Sequence, residues 1–445
     1  MMRDLTKHLV VSVIALATIT GKAQDVLPIN LEVVLELSGA NNLTIQEFQA
    51  KQEWAEANLS KSREWWLPDL YTGFQTDQLW GASMNGDGRF FLDVNRQSLW
   101  AGFGLEANLD FADGIYKTKA AKLEAQAAVY ETQAERNKVL LEAIKAYFDL
   151  QTAQMELVAY RSLIAQSDTL TQQISIQVEA GLRYSSELLL SKSNQSHLRI
   201  EMLNAQSKYN DKSAELVRLL NLDSKVQLVS VEQVIVPMDF QQELLMVNDS
   251  VYMNRPEIKA IDFKVNAIHS ERKVTTTGLI IPTLNVGAYG SYFGRISGEV
   301  SPVFPLQYPE TDQLYPTSAL TVSLTWNIPI GRLVYGGDLQ RYNSQLKVQE
   351  VRAAQFKAQI NEEISNAQQR IRIGEEQIQI AKEAIEITAQ ALSQSIARQQ
   401  LGTAKPFEVF QAQQLFLQVE LDYFQAIGNY NKAQFDLKVA LGELL

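Results

Sequence analysis

The chain has no cysteine among its 445 residues and only three histidines, His8, His197 and His269. Without thiols there are no disulfides, no cysteine-based zinc sites and no lipid-bearing N-terminal cysteine. No two histidines have the spacing of a metal-ligand pair, so no metal is expected. Basic residues are in the minority: 40 Lys and Arg face 51 Asp and Glu, a net charge of −11. That leaves no basic stripe to displace counterions from a phosphate backbone and argues against a nucleic-acid partner. There is no P-loop, so the chain does not hydrolyse ATP itself. No cofactor motif and no catalytic constellation occurs, and an enzyme is not expected. No segment holds ~18 uninterrupted apolar residues, so if the chain spans a membrane it does so with strands. Finally, the 66 residues from Ile115 to Ala180 contain neither Gly nor Pro, a length open to uninterrupted helix.

The N-terminus has the pattern of a secretory signal peptide. Arg3 and Lys7 precede an apolar run from Leu9 to Ile19, and Gly21 and Ala23 supply small residues before a cleavage point. The run is too short to cross a bilayer as a helix, which takes ~20 residues. Cleavage after Ala23 is expected, and residues 1–23 are set aside from the fold.

The rest of the chain repeats one plan. A helix ends before Pro68 and its echo ends before Pro282. Each is followed by two strand-like segments, a long helix, a Gly turn and a second helix. The boundaries expected are a first repeat over 24–221, a linker or equatorial segment over 222–253, and a second repeat over 254–445. The strand segments form hairpins over 68–111 and 282–329. In "SLWAGFGLEANLDF", Leu99, Ala101, Phe103, Leu105, Ala107 and Leu109 alternate with Gly102, Gly104, Glu106 and Asn108. In "SALTVSLTWNI", Leu320, Val322, Leu324 and Trp326 alternate with Thr321, Ser323 and Thr325. Membrane strands of ~9–11 residues, apolar outside and polar inside, have this alternation; so do half-buried hairpins of a soluble sheet. The stretches "GASMNGDGRFFLDVNRQ" and "RISGEVSPVFPLQYPETDQLYP" are expected as loops at the outer ends of the hairpins. Four strands cannot close a membrane barrel, which takes about 8. If they enter lipid, several chains must share one barrel, because an open edge leaves backbone groups unpaired.

The long helices carry coiled-coil spacing. In the first, the seam is expected at Leu123, Ala127, Tyr130, Ala134, Asn137, Leu141, Ile144, Phe148, Gln151, Met155 and Val158. In the second, Ile364, Ile371, Ile378, Ile385 and Leu392 recur every seven residues beside a small row, Ala367, Gly374, Ala381, Thr388 and Ser395. The small row lets a neighbouring helix approach closely.

The long helices end at "GLRYSSE" and "GTAKPFE", the second 221 positions after the first. Gly181 and Gly402 suit the left-handed residue that ends a helix. Ser185 or Ser186 is placed to cap the next helix, and Pro406 suits an early helical position. Glu187 and Glu408 fall in the first turn of the returning helices, where a carboxylate complements the dipole.

Signal peptide, duplicated plan and the two turns, each with an acid six residues after its Gly, together resemble the TolC family of outer-membrane efflux and secretion channels, over essentially the whole mature chain. The resemblance implies a mostly α fold with a transmembrane β part: a long antiparallel coiled-coil α-barrel in the periplasm, and a β-barrel shared by three protomers. It implies an outer-membrane channel of a Gram-negative bacterium, a passive conduit in a tripartite efflux or type I secretion system, opening like an iris at the helical tips. It implies as partners a homotrimer, a periplasmic adaptor, an inner-membrane pump of the RND or ABC type, and outer-membrane lipid. Glu408 and Glu187 are implied as constriction residues, with Gln411 and Lys405 beside them. Gly181, Leu182, Arg183 and Tyr184 with Gly402, Thr403 and Ala404 are implied as the adaptor-contacting tips. In the family pattern a second acid stands where Gln411 is, and an Arg where Ala404 is; Lys405 or Arg183 is the candidate substitute for that Arg.

Rival readings are a periplasmic adaptor and a structural coiled-coil envelope protein. Neither accounts for two copies of a helical hairpin, each preceded by strands. Asn85–Gly88, "NGDG", suggests a calcium loop but lacks the downstream Glu, and is read as a turn. Trp54, Trp65, Trp66, Trp80, Trp100 and Trp326 could stack on a ligand; since most lie near strand ends, an interfacial aromatic belt is the reading preferred.

Overall fold

The computed structural model describes residues 26–84, 88, 90–238, 240, 249–299 and 314–445. The expected signal peptide, most of the "NGDG" turn and most of the second outer loop lie outside them. The chain divides into two compact units, one made of 1–47, 135–255 and 359–445, the other of 48–134 and 256–358.

In the first unit, strand β1 (Val26–Ile29) leads into helix α1 (Leu31–Asn41), capped by the Asn30 side chain accepting from the Val33 N–H at 2.9 Å. Helix α2 (Leu43–Ser62) follows and passes into the second unit at Phe48; it is capped by Asn42, whose amide also donates to the Leu219 carbonyl at 2.8 Å. Helix α3 (Phe111–Glu179) turns at Gly181 into α4 (Ser185–Leu219), and α8 (Gly337–Gln400) turns at Gly402 into α9 (Pro406–Ala440). Strand β4 (Gln227–Ser230) pairs in parallel with β1. It is fastened to the helices by side chains. Tyr209 donates to the Leu228 carbonyl at 2.7 Å, Ser213 accepts from the Leu228 N–H at 2.8 Å, and Gln154 bonds both main-chain groups of Ser230.

These attachments change the expected seam. Ala127, Ile144, Phe148 and Met155 are buried, as are the polar Asn137 and Gln151, but Val158 is 52% exposed while Leu157 is buried. From Val139 to Leu157, α3 is buried on most sides, because the β1–α1 and β4 segments cover a face that a two-helix seam leaves open. A 3.6-residue helix also drifts off a strict seven-residue row. On α8 the small row is the more buried: Ala367, Gly374, Ala381 and Thr388 are inside. A Cβ built on Gly374 would stand 3.2 Å from the Tyr430 Cβ of α9, so the absent side chain sets how closely the two helices meet.

In the second unit, β2 (Asp69–Met84) and β3 (Phe90–Asp110) form one hairpin, and β5 (Thr283–Glu299) and β6 (Leu314–Thr325) the other. They join in one antiparallel sheet of order β2-β3-β5-β6. The strands extend into stretches expected as loops: "FFLDVNRQ" is part of β3, and β5 runs to Glu299. Helix α6 (Pro256–Val274) packs Phe263 on Tyr130 of α3, rings 5.4 Å apart, and a short helix α5 (Asp249–Asn254) precedes it in the chain. Helix α7 (Ile330–Tyr335) stops at Gly336, φ +60°, before α8 begins. Trp65 lies edge-on to Phe111, and a Cβ on Gly114 would strike its ring, so Gly114 sits inside α3 where only the smallest residue fits. One face of the sheet exposes Leu70, Phe74, Phe103, Leu105, Leu320, Val322 and Leu324. The other carries Asp69, Gly73, Gln75, Gly102, Gly104, Glu106, Asn285 and Gly287. Apolar side out and polar side in is the pattern of a membrane barrel wall. Among the described residues no helix is long and apolar enough to cross a membrane.

Candidate functional site at the two helical turns

Both turns are built the same way. Gly181 has φ +71° and Gly402 φ +75°. The Gly181 N–H donates to the Val178 carbonyl and the Leu182 N–H to that of Gln177; the Gly402 and Thr403 N–H groups repeat this on Gln399 and Arg398. This closure satisfies the last carbonyls of a helix and needs a left-handed residue, which glycine adopts without strain. A Cβ at either glycine would meet nothing within 4 Å, so the backbone angle alone requires the residue.

The returning helices start differently. α4 begins at Ser185 with Tyr184 as its N-cap and no side-chain capping bond. Neither serine caps it, because the cap position falls one residue earlier; Glu187 lies in the first turn with its carboxylate held by Arg183. α9 starts at Pro406, and Glu408 turns back to accept from the Lys405 N–H at 3.3 Å. Its other oxygen lies 3.4 Å from Arg398 on α8.

Arg183 joins the two turns. Its Nε donates to Gln177 Oε1 at 2.6 Å and one terminal nitrogen to Glu187 Oε2 at 3.0 Å. The other terminal nitrogen donates to the Gln399 carbonyl at 3.0 Å and the Ala404 carbonyl at 3.3 Å. Its side chain is only 10% exposed. A planar guanidinium can serve several acceptors at once, where an ammonium offers one point charge. Ala404 is itself buried, at 4% exposure, so a long side chain at that position has no room.

The structure thus brings Gln177, Glu187, Gln399 and Ala404 together around the Arg183 guanidinium, and Gly181 and Gly402 end the helices without touching it. Glu408 stands apart, paired with Arg398. Lys405 and Gln411 are exposed, and Leu182 and Tyr184 project at 76% and 78% exposure. Sequence reasoning missed Gln177, Arg398 and Gln399. Arg398 and Glu408 stand on opposite sides of Gly402, a spacing that antiparallel helices bring together. Gln399 continues the α8 row one heptad past Leu392. It is fully buried with both amide atoms unpartnered, as is Gln413 at 1% exposure. Beside them lies a small apolar cluster of Leu170, Ile174, Leu392, Val409 and Phe410. Among the described residues no group of His, Asp and Glu is arranged to hold a metal.

Known structures share this architecture. The Campylobacter jejuni CmeC outer membrane channel superposes with a TM-score of 0.78 at 16% identity, covering 93% of this chain and 85% of that one. The Vibrio cholerae outer membrane protein VceC gives 0.73 at 14% identity, with 93% and 96% covered. The open state of the Neisseria gonorrhoeae MtrE outer membrane channel gives 0.71 at 14%, with 96% and 94% covered. No curated protein sequence matches the chain. The model of the outer membrane efflux protein family matches residues 34–222 and 249–443, which take in both helical hairpins and all four strands of the antiparallel sheet; the chain belongs to that family.

Proposed function

We propose that three copies of this chain complete one barrel in the outer membrane and one helical tunnel in the periplasm. The assembly is a passive conduit, not an enzyme, serving a tripartite efflux or type I secretion system. Its tips meet a periplasmic adaptor and, through it, an inner-membrane pump of the RND or ABC type. The observation that carries this is the sheet: four strands with an apolar outer face, whose edges β2 and β6 pair with nothing else among the described residues. Each unpaired backbone group in lipid costs several kcal/mol, and copies of the same sheet remove that cost. The repeated order of elements supports an internal duplication, with repeats over 24–221 and 254–445 about the segment 222–253.

For the gate, Glu408 is our constriction residue, with Lys405 and Gln411 next to it. Glu187 is held back by Arg183 and shapes the turn. Leu182, Tyr184 and Thr403, exposed at the tips, are offered to the adaptor with Gly181, Arg183, Gly402 and Ala404. The test is extraction and conductance: a detergent-requiring trimer that forms a mostly closed pore in planar bilayers, with Glu408→Ala changing its cation preference. A detergent-free monomer would refute the channel. An unchanged cation preference would remove Glu408 from the constriction.

A further inference from the structure

Along β3 the outward residues are Leu109, Ala107, Leu105, Phe103, Ala101 and Leu99, followed by Gln97 and Asn95. The ten steps from Leu109 to Leu99 rise ~34 Å along the strand. At a barrel tilt of ~40° this is ~26 Å of height, matching the ~25 Å apolar band of an outer-membrane barrel. Helix α3 continues directly from Asp110, so that end faces the periplasm and the far end faces outward. The polar residues therefore begin where hydrocarbon ends, at the outer head-group level.

There β2 and β3 present a strip of uncharged side chains, and on the β5 side Ser297 stands opposite Gln97 and Glu299 opposite Asn95. Gln97 stands opposite Gln78, and Asn95 opposite Trp80. The Gln78 side-chain NH2 donates to Asn95 Oδ1 at 2.7 Å, and that of Gln97 to Thr76 Oγ1 at 3.2 Å. These contacts hold the amides in place, and because Gln78 and Asn95 are both exposed, a Gln78 carbonyl can accept from a ligand and an Asn95 NH2 can donate to one. Trp80 closes the strip at 72% exposure.

We propose that Thr76, Gln78, Asn95, Gln97 and Trp80 form a saccharide-binding strip that grips the sugar head groups of glycolipid in the outer leaflet. Uncharged amides match hydroxyl groups, which donate and accept in equal measure, and an exposed indole face suits the C–H face of a sugar ring. A strip built for lipid phosphate would carry Lys or Arg. A strip built for acyl chains would continue the Leu, Ala and Phe pattern.

The test uses the full chain reconstituted in phospholipid vesicles doped with outer-membrane lipopolysaccharide, measuring the glycolipid retained per protomer after detergent extraction. The wild type should retain it preferentially, and free core oligosaccharide should displace it. Gln78→Leu/Asn95→Val/Gln97→Leu extends the apolar face without breaking the strand; it should lower retention about tenfold, the loss of two or three ordinary hydrogen bonds, with conductance unchanged. Trp80→Ala should weaken retention without touching the amides. Equal retention of phospholipid, retention that disappears when the glycolipid is dephosphorylated with its sugars intact, or a triple variant that retains glycolipid like the wild type would each overturn the proposal.

Discussion

Replacing Arg183 with alanine should loosen both helical turns at once. The side chain is 10% exposed and serves four acceptors, two of them main-chain carbonyls of the other turn. Its removal leaves the Gln399 and Ala404 carbonyls and the Glu187 carboxylate without that donor. Hydrogen bonds to a charged group contribute ~1.5–3 kcal/mol each, but the contributions are not additive. Water reaches part of this site, since Glu187 is 22% exposed, and the ion pair is discounted accordingly. A net local loss of about 3 kcal/mol follows, and at 1.4 kcal/mol per factor of ten this is about a hundredfold rise in the opened population. Amide hydrogen exchange measured by mass spectrometry on the detergent-solubilised protein would read it. Peptides covering 177–187 and 399–408 should exchange about a hundredfold faster, with peptides in β3 unchanged. Arg183→Lys should fall between, because one ammonium cannot reach acceptors on both turns. Conductance in the closed state should rise with exchange. If Arg183→Ala exchanges within about threefold of wild type in both peptides, the guanidinium does not hold the turns together and the coupling argument fails.

Three further outcomes are expected. Gly402→Ala places a Cβ at φ +75° in open space, so it should cost ~1–2 kcal/mol of backbone strain, read as faster exchange at the second turn with little change in global melting. Gly374→Ala should be close to neutral, the ~1 kcal/mol gain in helix propensity offset by the 3.2 Å approach to Tyr430; Gly374→Leu should lower Tm by forcing α8 and α9 apart, and a Leu variant as stable as wild type would disprove the close seam. Burial raises the Glu420 carboxyl pKa above its ordinary 4.5. The folded state then binds more protons than the unfolded one, so the penalty is absent well below 4.5 and grows as pH rises from there through the raised value. Glu420→Gln should therefore raise Tm at pH 7 and not at pH 4, and an equal effect at both would contradict the shift.

What the sequence disclosed follows from whether a residue's partner lies within one periodic pattern. Gly181 and Gly402 announced themselves because a left-handed helix end has almost one side-chain solution, and the small row at Gly374 because a seven-residue spacing repeats. Arg183 was legible as a tip residue and as a candidate substitute for the family's Arg, but not as the link between the two turns. Half of its acceptors are backbone carbonyls more than two hundred positions away, and a carbonyl has no residue type to recognise. The β1–β4 pair was hidden for a similar reason: four residues each, too short for alternation to register, joined across two hundred residues. Val158 left the expected seam because a 3.6-residue helix drifts off a strict seven-residue row.

The ends of the strands are more instructive. "FFLDVNRQ" looked like a loop because polar Gln97 and Asn95 take outward positions that the preceding six outward residues fill with apolar groups. Yet the backbone pairing goes on: with β2 it keeps its register, Gln97 opposite Gln78 and Asn95 opposite Trp80, and with β5 it resumes after a register shift between Gln97 and Ser98. Alternation reports the solvent on each side of a strand, not the strand itself. Where the outer solvent changes from hydrocarbon to head groups, the apolar half of the signal must stop while the ladder goes on. A strand that outruns its alternation thus marks the membrane boundary, and on β3 that mark falls between Leu99 and Gln97.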